Sequence, residues 1–90
     1  MITNPRYQRY ALDLAAQLGI PVQEAVRSAG STNGAVIHLA DQGVPTIVIG
    51  VPVRYAHTHY GISAYADFDH AVQLACQLLT RLDAAVIAGF

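Results

Sequence analysis

The run Thr46-Ile-Val-Ile-Gly-Val51 constrains this chain more than any other feature. It is continuously apolar and rich in β-branched residues around Gly50. A strand with one wet face alternates apolar and polar side chains. An unbroken run is the pattern of a parallel strand covered on both faces. The chain must therefore cover this segment twice over and also give it edge neighbours. Only Val22–Val26 offers a second, half-buried strand, and Glu24 interrupts its apolar character. A strand, a crossover helix and a second strand form a right-handed βαβ unit, but two strands alone do not make a stable sheet.

The helices are easier to place. Asn4-Pro5 combines a capping residue with proline at the first helical position. Tyr7, Tyr10, Ala11, Leu14, Ala15 and Leu18 then recur at helical spacing, and Gly19 with Pro21 ends the run. A short helix carries Val36, Leu39 and Ala40 on one face and stops at Gly43. Asp67 is expected to cap a last helix whose apolar stripe is Phe68, Ala71, Val72, Ala75, Leu78, Leu79 and Leu82, with Arg81 suited to its C-terminal dipole. The expected order is α-β-α-β-loop-α, an α/β chain. The apolar tail Ala84–Phe90 is left without a structural assignment.

Composition points the same way as the unpartnered strands. Charged residues make up 12% of the chain and lysine is absent, against about 25% charge in an ordinary soluble domain. Such a surface is expected to be covered by further sequence or by other subunits, so a homo-oligomer is expected. The net charge of −1 and scattered arginines argue against nucleic acid. The longest apolar run, Ile47–Val53, is far below the ~20 residues that span a bilayer. No secretory signal pattern opens the chain. The single cysteine, Cys76, forms no internal disulfide and suits a reducing cytoplasmic compartment.

Two loops could carry chemistry, because open α/β sheets bind ligands at the carboxyl ends of their strands. Gly30-Ser-Thr-Asn-Gly34 leads into a helix start and could hold an anion or a substrate carboxylate on backbone N–H groups. Small-residue turns of this kind also serve purely as connections. The second loop, Pro52-Val-Arg54-Tyr55-Ala-His57-Thr58-His59-Tyr60-Gly61, gathers two histidines, an arginine and two tyrosines after the buried strand. Neutral imidazole is a common zinc ligand, but a catalytic zinc needs about three protein ligands. His57 and His59 point to opposite sides of an extended segment, so they are not expected to share one ion. Composition alone would leave each as a satisfied loop histidine. His38 and His70 are expected on helix surfaces. No paired carboxylates, Ser-His-Asp set or phosphate-binding loop can be assembled.

The stretch Gly43-Val-Pro-Thr-Ile-Val-Ile-Gly-Val-Pro-Val-Arg-Tyr-Ala-His-Thr58 resembles the end of the catalytic domain in the M42 family of metallo-aminopeptidases, the glutamyl and tetrahedral (TET) aminopeptidase group. The family pattern is G-V-P-T followed by I-x-x-P-x-R-Y-x-H-S/T, with an upstream G-G-T-D-A that Gly30–Ala35 resembles. The resemblance runs from about Pro5 to Leu82. It implies that residues 1–90 are the C-terminal segment of an M42-like peptidase catalytic domain, a partial three-layer α/β sandwich containing the parallel βαβ unit.

It also implies an aminopeptidase that removes N-terminal residues from peptides with two divalent metal ions, zinc or cobalt. The histidine of R-Y-x-H is a metal ligand there, which maps onto His57. The other ligands and the general-base glutamate come from earlier segments, so the chain alone is expected to be inactive and to hold no metal stably. Thr32, Asn33 and Arg54 are the substrate-binding candidates, and no catalytic residue is assigned. Three positions depart from the pattern: Asn33 replaces an Asp, Gly61 a frequent Glu, and Ala64 a frequent Asp. A non-catalytic oligomerisation or regulatory module that keeps the fold is the alternative reading. An unrelated α/β domain with a chance R-Y-x-H is a third.

Overall fold

The computed structural model describes residues 2–26 and 32–90. Its described elements are four helices: α1 (Pro5–Leu18), α2 (Gly34–Ile37), α3 (Tyr65–Arg81) and α4 (Ala84–Ala88). α1 begins as the sequence dictates. The Asn4 side-chain oxygen accepts the N–H groups of Arg6 and Tyr7, both at 3.0 Å, and Pro5 occupies the first turn. It ends on Gly19, whose φ of 70° lets the chain turn left-handed and close with the Ile20 N–H on the Ala15 carbonyl at 2.9 Å.

The core is small. Ala11, Leu14, Ala15 and Ile20 pack against Leu74 and Leu78 of α3, with Tyr7, Tyr10, Ile47 and Leu82 alongside. On α3 the expected stripe holds in part: Leu78 is buried and Ala71, Ala75 and Leu82 are half-buried, with Leu74 added. Phe68, Val72 and Leu79 are exposed. Asp67 does not cap this helix. Ala64 is the cap, Asp67 sits inside the first turn, and its carboxylate favours the helix N-terminus only through charge. The tail forms α4, capped by Asp83, whose carboxylate accepts the Val86 N–H at 2.8 Å. α4 returns Phe90 to α1. The Phe90 ring stacks on Tyr7 at 4.8 Å and meets Tyr10 edge-on at 5.7 Å, and Asn4 Nδ2 donates to the Phe90 carbonyl at 3.3 Å.

The expected α/β sandwich is not what the described residues form. They contain no sheet, only one isolated antiparallel bridge between Arg54 and Ile62. Val22–Val26 is exposed and irregular, so the strand pair of the βαβ unit does not exist. Over 47–53 no backbone group has a backbone hydrogen-bond partner among the described residues. The physical reason lies in the demand noted above. A strand is defined by its neighbours, and the described residues supply none. Val48 and Ile49, adjacent and therefore on opposite faces of an extended segment, are 52% and 40% exposed. The segment has the composition of a doubly covered strand, yet only Ile47 at its start packs against the core. No helix of the described residues is long and apolar enough to cross a membrane.

Three measurements follow from this packing. Asn4→Ala should lower stability by about 1 kcal/mol, the usual worth of a helix cap. Asn4→Asp keeps the cap oxygen and loses only the bond to Phe90, so it should lose less; denaturant unfolding followed by helical circular dichroism separates the two.

Burial raises the Tyr7 phenol above its ordinary value of 10.0. The stability from keeping it protonated is intact below pH 10 and lost as pH rises through the folded-state value. Tyr7→Phe should therefore flatten the alkaline decline in melting temperature.

The bare apolar faces of 47–53 and α3 should make the isolated chain self-associate at micromolar concentration. Analytical ultracentrifugation showing a cooperatively unfolding monomer would overturn that expectation.

Candidate functional site

Arg54 and Ile62 close a loop. The Arg54 N–H donates to the Ile62 carbonyl at 2.8 Å, and the Ile62 N–H returns a bond at 3.1 Å. Gly61 sits beside this closure, where a Cβ would lie 3.3 Å from the Val53 side chain. Within the loop, Tyr55 and His57 have φ of 62° and 64°. For residues with a Cβ the left-handed region costs roughly 1–2 kcal/mol each, so something must hold them there. Thr58 Oγ1 lies 2.6 Å from the Tyr55 carbonyl and 3.0 Å from the Tyr60 carbonyl, and its hydroxyl donates between them.

His57 is exposed on this loop, and its ring makes no hydrogen bond among the described residues. Both ring nitrogens are therefore open to an external partner, and a neutral imidazole can offer one lone pair to a cation. His59 is exposed on the same loop. No three His, Cys, Asp or Glu side chains gather at a metal-binding spacing among the described residues. As a test of fit, the chain offers one coordination position at His57 and leaves the others to groups outside the described residues.

The remaining candidates lie elsewhere. Arg54 is exposed at the mouth of the loop, tied by its backbone alone. Thr32 and Asn33 stand at the start of α2. Gly30 and Ser31 of that loop lie outside the described residues. The expected anion cradle is largely used up. The Thr32 hydroxyl oxygen accepts the Gly34 N–H at 3.2 Å, and the Thr32 carbonyl accepts the Ala35 N–H at 3.0 Å. The Asn33 side chain is exposed and caps nothing. His38 is half-buried, with Nδ1 2.7 Å from the Gly34 carbonyl, and His70 is half-buried on α3.

Two features carry no sequence signal. The left-handed backbone at Tyr55 and His57 falls on residues that do not prefer it. An open apolar groove of about 500 Å³, lined by Val51, Val53, Ser63, Ala64, Tyr65 and Phe68, runs between the bare segment and the start of α3. Its lining is the part of the apolar run and of the α3 stripe that the core leaves uncovered.

Comparison with known proteins gives this loop a context. The M42 glutamyl aminopeptidase family model matches residues 1–74. The chain is 33% identical over 87 residues to a glutamyl aminopeptidase of Lactococcus lactis, covering 97% of this chain and 24% of that protein. It is 31% identical over 80 residues to a lysyl aminopeptidase of Pyrococcus furiosus, covering 88% of this chain and 23% of that protein. A crystal structure of a TET aminopeptidase from a marine sediment thaumarchaeote superposes with a TM-score of 0.96 at 34% identity, over 99% of this chain and 25% of that one. The chain thus spans about a quarter of the length of the curated relatives it matches.

Proposed function

Because this chain belongs to the M42 glutamyl aminopeptidase family, we propose that it is the C-terminal segment of a catalytic domain that removes N-terminal residues from peptides, with His57 as one ligand of a divalent metal pair. The observation that carries this is the exposed, unbonded His57 ring on a bridged loop directly after the bare apolar segment. The remaining coordination positions and the general base then come from the rest of the domain, and the chain alone is inactive. A divalent metal held in part by His57 would supply Lewis acidity there, making a coordinated water more acidic and polarising a peptide carbonyl.

The chain's own contribution is placement. The Arg54–Ile62 bridge fixes the loop ends, and the Thr58 hydroxyl ties its interior. Arg54, exposed at the loop mouth, is available to a peptide carbonyl or carboxylate. Thr32 and Asn33 are the other candidate contacts, through the Asn33 amide and the start of α2. The apolar segment 47–53 and the groove beside α3 are where the rest of the domain packs, and further apolar surface serves assembly into a homo-oligomer. The compartment is the cytosol, where the exposed free thiol of Cys76 stays reduced.

A chimera tests the reading. This chain replaces the matching quarter of the Lactococcus lactis glutamyl aminopeptidase, and release of 4-nitroaniline from amino-acid anilides is followed with zinc or cobalt present. The chimera should turn over and the isolated chain should not. Losing a group that merely supports a ligand costs about 10–100-fold in metal affinity. His57→Ala should therefore cost the chimera at least about a hundredfold, with helical content unchanged. A chimera that keeps its metal content and activity without His57 would overturn the assignment, as would turnover by the isolated chain.

A further inference from the structure

We propose that the Thr58 hydroxyl is a positioning group that locks the left-handed turn Tyr55–His57 and so fixes the direction in which His57 presents its ring. The inference rests on the reading of His57 as a metal ligand and adds to it the device that orients the ligand. Tyr55 and His57 occupy a backbone region that side-chain-bearing residues avoid, with φ of 62° and 64°. Backbone of this kind persists only where the surroundings over-determine it.

Few surroundings exist. The loop is exposed throughout, so packing does not impose the turn. The Arg54–Ile62 bridge sets the two ends, but Arg54 lies three residues before His57 and Ile62 five after. Between those ends, the single Thr58 O–H, shared between two carbonyl acceptors, is the only hydrogen-bond donor engaged among the described residues. It reaches the Tyr55 carbonyl at 2.6 Å, which fixes the Tyr55–Ala56 peptide plane, and the Tyr60 carbonyl at 3.0 Å on the far side. One hydroxyl thus spans the backbone on both sides of His57.

The His57 ring has no hydrogen bond of its own to orient it. Histidines that ligate metals ordinarily gain their orientation from a second bond at the other ring nitrogen. Here the backbone has to supply that orientation instead. Threonine suits the task because its branched Cβ restricts χ1, so the hydroxyl direction is set by the chain rather than chosen among rotamers.

Thr58 is exposed and remote from the Leu14–Leu78 core, so its substitution tests the loop and leaves the fold to be verified by circular dichroism. The chain has five arginines and no lysine, which leaves trypsin few sites. Cleavage at Arg54–Tyr55 is timed against cleavage at Arg9–Tyr10 inside α1, in the whole 90-residue chain without added metal. Proteolysis of this kind tracks the population of the opened loop. A lost hydrogen bond of ordinary strength should raise cleavage at Arg54–Tyr55 roughly fivefold in Thr58→Val. Thr58→Ser should stay within about twofold of the parent because it keeps the donor.

In nuclear magnetic resonance spectra the left-handed turn gives strong intraresidue Hα–HN cross-peaks at Tyr55 and His57. Both should be lost in Thr58→Val and retained in Thr58→Ser. Unchanged cleavage, or cross-peaks that survive in Thr58→Val, would overturn the positioning role. Neither readout involves metal, so a chimera in which His57→Ala leaves metal binding intact overturns the ligand reading separately.

Discussion

The contact between α1 and α3 is the interaction on which the rest of the chain depends. Leu14 and Ala15 from one helix and Leu74 and Leu78 from the other are nearly or wholly buried. Three other parts of the chain attach to that pair. Ile20 folds back over it after the left-handed turn at Gly19, and Ile47 leans on it from the apolar run. Phe90 reaches α1 from the far end through Tyr7, Tyr10 and Asn4. Phe90 does for α4 what Ile20 does for the chain after α1. Each is an apolar residue just beyond a helix end, and each fixes the direction in which the backbone leaves.

How much of this was legible depends on whether a signal is local. α1 could be read because its cap, its apolar spacing and its stop all reside within a few residues of one another. The length of α3 was equally legible, but its buried face only in part. Phe68, Val72 and Leu79 are as apolar as the rest of the stripe yet stay exposed, while Leu74 and Leu78 are the α3 residues buried in the core, with Leu82 alongside. A strongly apolar helix has more than one face that could be buried, and the partner selects among them. Asp67 was misplaced for a related reason: an acidic residue near a helix start is favourable both as a cap and in the first turn, and composition does not separate the two.

The strands failed differently. The apolar run reads as a strand covered on both faces, but strand structure is a relation between segments, and the described residues form no sheet. Without neighbours the same residues form no ladder, and their side chains stand in solvent. In the loop, the R-Y-x-H-T residues carry the family resemblance, yet the turn that presents His57 was invisible. Nothing about Tyr55 or His57 favours positive φ. The hydroxyl that spans the turn belongs to Thr58, a residue that reads in sequence only as part of a motif.

The bare segment and the strained loop are one arrangement rather than two defects. Residues 47–53 lead straight into the bridge at Arg54, so whatever covers the segment also fixes the base from which His57 projects. A ligand on a free loop would lose orientation entropy each time it met a cation. One held by a bridge at its base and a hydroxyl across its turn has already lost that freedom. Below the bridge lies a segment whose backbone has no hydrogen-bond partner over 47–53 among the described residues. If His57 is a ligand as proposed above, its placement relative to the other ligands depends on the segment that carries this loop. Covering the two faces of 47–53 would convert a locally ordered histidine into a positioned one.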